Sequence, residues 1–123
     1  MNIVISNASQ EPIYQQIITQ LKNLIIQGGI AQGEALPSIR TLAKNLQISV
    51  ITTKRAYEEL ERDGYIHTVP GKGSFVAAQN QELLKETRLR IVEEKLTEAV
   101  TSARTIGVSR TELRKMLDLM YED

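Results

Sequence analysis

The sequence predicts a mostly α-helical fold with a small β-wing: a winged helix-turn-helix domain over residues 1–76 and a two-helix segment over residues 77–123. Three observations carry this expectation. Apolar residues recur at helical spacing in three successive segments between Ile13 and Leu60, with short connectors between them. The stretch from Tyr65 to Val76 is β-prone at both ends, with Pro70-Gly71-Lys72-Gly73 as a turn in its middle. From Asn80 onward the composition shifts to Glu, Lys, Arg, Leu and Ala, as in a long exposed helix.

The first helix starts near Glu11-Pro12, because proline suits the first helical position. Ile13, Ile17, Leu21 and Ile25, flanked by Tyr14, Ile18 and Leu24, form its apolar stripe, and Gly28-Gly29 ends it. Ile30 to Leu36 is a connector. Ser38 caps a second helix reaching Leu46, and Ser49 caps a third reaching Asp63. Only Gln47 and Ile48 separate the two, which is the pattern of a helix-turn-helix with the third helix as the reader. Tyr65–Val69 and Ser74–Val76 then make a two-stranded wing whose loop holds one lysine between glycines.

In the long helix from about Asn80 to Ile106, the residues Leu89, Val92, Leu96, Ala99, Ala103 and Ile106 follow alternating three- and four-residue spacing. That spacing implies a partner helix and makes these six the candidate dimerisation residues. Gly107 ends the helix, and Ser109-Arg110-Thr111-Glu112 begins a last one with Leu113, Met116, Leu117 and Met120 on its apolar face. The boundary between domain and tail falls at Ala77–Gln81.

Fifteen basic and fifteen acidic residues give a net charge of zero, which at first disfavours a phosphate-rich partner. The distribution points the other way. No Asp or Glu occurs from Ala35 to Tyr57, a stretch that holds Arg40, Lys44, Lys54 and Arg55 between Glu34 and Glu58. The chain has no cysteine, so disulfides, thiolate metal sites and cysteine nucleophiles are excluded. The N-terminus shows neither a signal peptide nor a membrane span, which makes the cytoplasm the expected location.

No constellation suggests catalysis. Glu58, Glu59, Glu61, Asp63 and the Glu93-Glu94 pair sit among Lys and Arg on helices, as solvated faces do. His67 is the only histidine and has no co-ligands for a metal, so it is read as a wing residue. The Pro70–Ser74 loop lacks the spacing, the Ser or Thr after Lys and the following helix that a nucleotide loop needs. An enzyme, a cofactor and a metal site are therefore not expected.

Four segments, taken in order, carry a family resemblance: Glu11-Pro12-Ile13-Tyr14-Gln15-Gln16-Ile17, Gly33-Glu34-Ala35-Leu36-Pro37-Ser38-Ile39-Arg40-Thr41-Leu42-Ala43, Arg55-Ala56-Tyr57-Glu58-Glu59-Leu60 and Gly71-Lys72-Gly73-Ser74-Phe75-Val76. They resemble the GntR family of bacterial regulators, and the short tail resembles its YtrA subfamily. The resemblance implies a homodimeric repressor on a palindromic double-stranded DNA operator, often beside transporter genes. It leaves open a small-molecule effector of unspecified chemistry.

The family's DNA contacts map by resemblance onto Arg40, Ser49, Thr52, Lys54, Gly71 and Lys72, and Val50, Thr53 and Gly73 complete the candidate set. Arg40 presents a donor fork that matches a phosphate or a guanine edge. Ser49 serves as cap or phosphate donor, Thr52 offers a hydroxyl and a methyl, and Lys54 is a point charge. Arg55 faces either the core side or the DNA backbone. Many relatives have arginine directly after the serine that opens the reading helix; here Val50 and Ile51 follow, and they either pack inward or touch thymine methyl groups. The alternative of another class is a winged-helix protein-interaction adaptor, which would not need the acid-free stretch or the wing lysine.

Overall fold

A computed structural model describes residues 1–122 and contains seven elements in chain order. They are α1 (Ile13–Gln27), α2 (Ile39–Leu46), α3 (Val50–Arg62), β1 (Ile66–Val69), β2 (Gly73–Val76), α4 (Gln81–Ile106) and α5 (Arg110–Tyr121). The chain divides into two compact units, Met1–Leu84 and the residues from Lys85 onward. Among the described residues, no helix is long and apolar enough to cross a membrane.

In the first unit α3 packs against α1, α2 and β1. Each helix contributes the stripe its spacing dictates: Ile17, Ile18, Leu21 and Ile25 from α1, Leu42 and Ala43 from α2, and Ala56, Tyr57 and Leu60 from α3. Ile66 and Val76 close the core from the wing. Pro12 stands one residue earlier than expected, as the cap of α1, with its carbonyl accepting from the amides of Gln15 and Gln16 at 3.0 and 3.1 Å. Gly28 ends α1 in the left-handed conformation, φ 81°, that glycine adopts without steric cost.

The N-terminal segment is fastened to α1 by two glutamine side chains. The Gln20 amide accepts from Val4 N at 2.9 Å and donates to Val4 O at 2.8 Å, and Gln16 does the same with Ser6 at 2.9 and 3.0 Å. One helical turn separates the glutamines and two residues separate their targets. Each side-chain amide thus satisfies one backbone donor and one acceptor, as a neighbouring strand would. Ile3 lies in the core beside this clamp, whereas Val4 is 66% exposed.

The connector before α2 is also more ordered than a loop. Ala35 bridges to Phe75, while Gly33 N donates to Val76 O, Leu36 N to Ser74 O and Val76 N to Glu34 O, at 2.9, 2.9 and 3.0 Å. Strand β2, which pairs antiparallel with β1 in the register Ile66↔Val76 to Val69↔Gly73, is therefore flanked on both edges. The Tyr57 hydroxyl donates to Pro37 O at 2.8 Å and ties the start of α2 to α3. Burial of this phenol pushes its pKa up to about 12.

The second unit is a pair of helices with little interior. Asn80 caps α4, its side chain accepting from Leu83 N at 3.1 Å, and Ser109 caps α5, accepting from Glu112 N at 3.2 Å. Ala103 is its only buried side chain among the described residues. Leu96 and Ala99 of α4 share an open concavity of about 430 Å³ with Leu113, Met116, Leu117 and Met120 of α5, bordered by Arg110 and Arg114.

Candidate nucleic-acid interface

Helices α2 and α3 are short, and both are started by a serine. Ser38 Oγ accepts from Thr41 N at 3.1 Å and donates to Thr41 Oγ1 at 2.8 Å; Ser49 repeats the pair with Thr52 at 3.0 and 2.7 Å. Neither helix has an acidic residue in its first turn. An acid there would be favoured for helix stability alone, since the N-terminal end carries partial positive charge. Its absence at both helices leaves that positive potential open to an external anion.

Around these two ends the acid-free stretch is displayed to solvent. Arg40 and Lys44 on α2 and Lys54 on α3 are exposed. Arg40 and Lys44 form no ion pair among the described residues, while Lys54 lies 3.8 Å from Glu58 on the same helix face. That pair is largely exposed and contributes little, so a phosphate competes for the lysine readily. Arg55 is committed differently. Its guanidinium stacks 3.7 Å from the Tyr14 ring centroid and its Nε lies 3.6 Å from Glu59, so it braces α3 against α1.

The structure sorts the four residues that open α3. Val50 and Ile51 do not pack inward: they are 46% and 81% exposed. Thr52 is half-buried, with its hydroxyl engaged by Ser49. Thr53, counted among the candidate DNA contacts, is instead fully buried at 0% exposure, and its hydroxyl donates to Ser49 O at 3.1 Å. It lies three, four and seven residues before Ala56, Tyr57 and Leu60, and so on the core-facing stripe. That spacing was present in the sequence and places Thr53 in the core.

In the wing, Lys72 N donates to Val69 O at 2.9 Å across Pro70 and Gly71. Proline at the second turn position and Gly71 with φ 76° at the third make this a type II turn. The turn carries Lys72 outward, exposed and with no ion-pair partner among the described residues, beside exposed Gly71 and Gly73. A Glu61 carboxylate oxygen of α3 accepts from Thr68 N at 3.2 Å and the other from the Thr68 hydroxyl at 3.1 Å. This carboxylate fixes the wing to the reading helix. It was read from sequence as part of a solvated face, because no local signal links residue 61 to residue 68. His67 stacks on Phe75 with ring centroids 5.9 Å apart.

The candidate dimerisation residues do not form one uniform seam. Leu89, Val92 and Leu96 are about half exposed and Ile106 is 77% exposed. Ala103 is 7% exposed within the single chain, and its backbone carbonyl accepts from Val108 N at 2.8 Å. Leu96 and Ala99 face the same space as the apolar side of α5.

Two short capped helices, an acid-free surface and a lysine-tipped wing thus lie in one compact unit. Residues 13–76 of this unit match the family model described as bacterial regulatory proteins, gntR family. The chain belongs to the GntR family. Over 121 residues it is 35% identical to the HTH-type transcriptional repressor YtrA of Bacillus subtilis, an alignment covering 98% of this chain and 93% of that one. Among solved structures it resembles YtrA from Sulfolobus acidocaldarius, a GntR-family transcription factor. The TM-score is 0.60 at 34% identity, over 74% of this chain and 97% of that one. It also resembles AraR(DBD) in complex with operator ORE1, with a TM-score of 0.53 at 26% identity over 63% of this chain and 94% of the other. As a GntR-family member with this winged helix-turn-helix, the chain is a DNA-binding transcriptional regulator, and no observation favours the adaptor reading.

Proposed function

We propose that this protein is a cytoplasmic repressor that binds a palindromic operator as a homodimer, with residues 1–76 contacting DNA and residues 77–123 joining the two copies. The observation that carries the reading is the acid-free surface at the starts of α2 and α3, where exposed Arg40, Lys44 and Lys54 surround two uncompensated helix N-termini. Arg40 supplies a bidentate fork to a guanine edge or a phosphate, and Lys54 and Lys72 supply charge to the backbone on either side of the reading helix. Ser49 donates its hydroxyl hydrogen to Thr52 Oγ1 and accepts from Thr52 N, so it keeps one acceptor lone pair at the helix end.

The dimer part rests on the second unit. A pair of helices with Ala103 as its only buried side chain among the described residues does not hold its shape through its own core. Leu89, Val92, Leu96, Met116, Leu117 and Met120 present apolar surface that a second copy would cover. Two-fold pairing would also set two reading helices at half-site spacing, as a palindrome requires. The repressor relative aligned over nearly the whole chain supports the same reading.

A gel-shift and footprint on the DNA upstream of the protein's own gene tests it. Specific binding with a Kd of about 10⁻⁸ to 10⁻¹¹ M, weakened steeply by salt, is expected. Equal affinity for that DNA and a random duplex at physiological salt overturns the operator reading.

A further inference from the structure

Two large apolar side chains, Val50 and Ile51, stand in solvent at the start of the reading helix, 46% and 81% exposed. The neighbouring residues on α3 are polar or basic: Ser49 and Thr52 are hydrogen-bonded to each other, with Lys54 one turn on. Neither side chain belongs to the core cluster. Thr53, Ala56, Tyr57 and Leu60 supply the buried stripe of α3, and Ile51 points away from it. A β-branched residue in a helix carries a modest propensity cost, and an exposed isoleucine has no compensating burial.

We infer that Ile51, with Val50 beside it, is a specificity-determining residue that reads thymine through its C5-methyl group in the major groove. This rests on the operator reading above. The first turn of a reading helix is the part that meets base edges, and the thymine methyl is the one apolar feature that the major groove displays. A branched aliphatic side chain has no hydrogen-bonding group, so phosphates and the donors and acceptors of other bases leave it unpaired. It gains only by excluding water against a methyl group. Backbone affinity then comes from Arg40, Lys54 and Lys72, while part of the base preference comes from apolar contact.

The test separates the methyl from every other feature of the base. An operator is first selected from random duplexes, and each thymine is then replaced in turn by deoxyuridine, which keeps the same hydrogen-bonding edge without the methyl. For the wild-type protein, replacement at one or two positions of a half-site is expected to weaken binding about fourfold per methyl lost, the effect of one buried methyl-sized group. Ile51→Ala is expected to bind thymine and uracil sites alike at those positions, with an unchanged Tm, since the side chain lies outside the core. A wild type indifferent to every uracil, or an Ile51→Ala variant that keeps the full penalty, overturns the proposal and leaves the operator reading standing. A selection that yields no preferred site overturns both.

Discussion

The two compact units contrast in how they spend their apolar residues. Residues 1–84 bury Ile17, Leu21, Ala56 and Leu60 completely and Ile66 and Val76 almost so, and they expose large apolar groups only at the N-terminus, at Val50 and Ile51 and at Leu83. The unit that follows buries Ala103 and leaves Leu89, Val92, Leu96, Ile106, Leu119 and Met120 in solvent. Both sequences are amphipathic at helical period. The difference is that three helices and a wing close around one another, whereas two helices have only one face each to offer. The first unit is thus specified from within, and the second leaves most of its apolar surface uncovered.

The largest expected effect breaks the first unit. Leu60→Ala removes a fully buried side chain of α3 and is expected to lower unfolding free energy by about 2 to 5 kcal/mol in urea titration. Leu119→Ala, at 65% exposure, should shift the same transition far less. Next comes the second unit: Leu96→Asp is expected to give monomers by sedimentation while leaving the winged helix folded. Its operator affinity should fall about a hundredfold as the two half-sites lose their linkage. A stable dimer in that variant would mean that copies join through another surface.

Within the first unit, Arg40→Ala separates stability from recognition. Its side chain is exposed, so the Tm should hold, while operator binding weakens by about 1 to 3 kcal/mol with discrimination flattened at one base position. Uniform weakening across sequences would assign Arg40 to a phosphate instead. The smallest effect is Tyr57→Phe, which deletes the hydrogen bond to Pro37 O and should cost on the order of 1 kcal/mol at neutral pH. The folded-state pKa of Tyr57 is raised from 10.0 to about 12, so its protonated form is favoured by folding. That contribution is complete below pH 10 and lost as pH climbs towards 12. The Phe variant should lack this part of the alkaline decline in stability, measured as Tm against pH.

Much of the helical framework was legible because its determinants are local. Ser38, Ser49 and Ser109 each accept from the amide three residues on, as their positions before apolar-periodic runs imply. The wing turn followed equally from Pro70 and Gly71. The site was legible in charge, through the stretch without Asp or Glu, and less so in orientation. The reading of Thr53 as a DNA contact fails because its spacing to Ala56, Tyr57 and Leu60 turns it inward, while Ala103 is 7% exposed within the single chain.

The amino-acid sequence by itself determined where helices start and stop, which serine caps them and which stretch lacks negative charge, because these depend on neighbours within a turn. Tertiary structure decided what the backbone and side chains meet across longer separations. The Gln16 and Gln20 clamps on the first residues, the Glu61 brace on Thr68 and the pairing of Gly33–Leu36 with β2 all join segments that no local pattern connects. The same closure left Ile51 outside and put Thr53 inside. Adjacent helical residues point about 100° apart, and the packing of α3 against α1, α2 and β1 realised one direction as core and left the other in solvent.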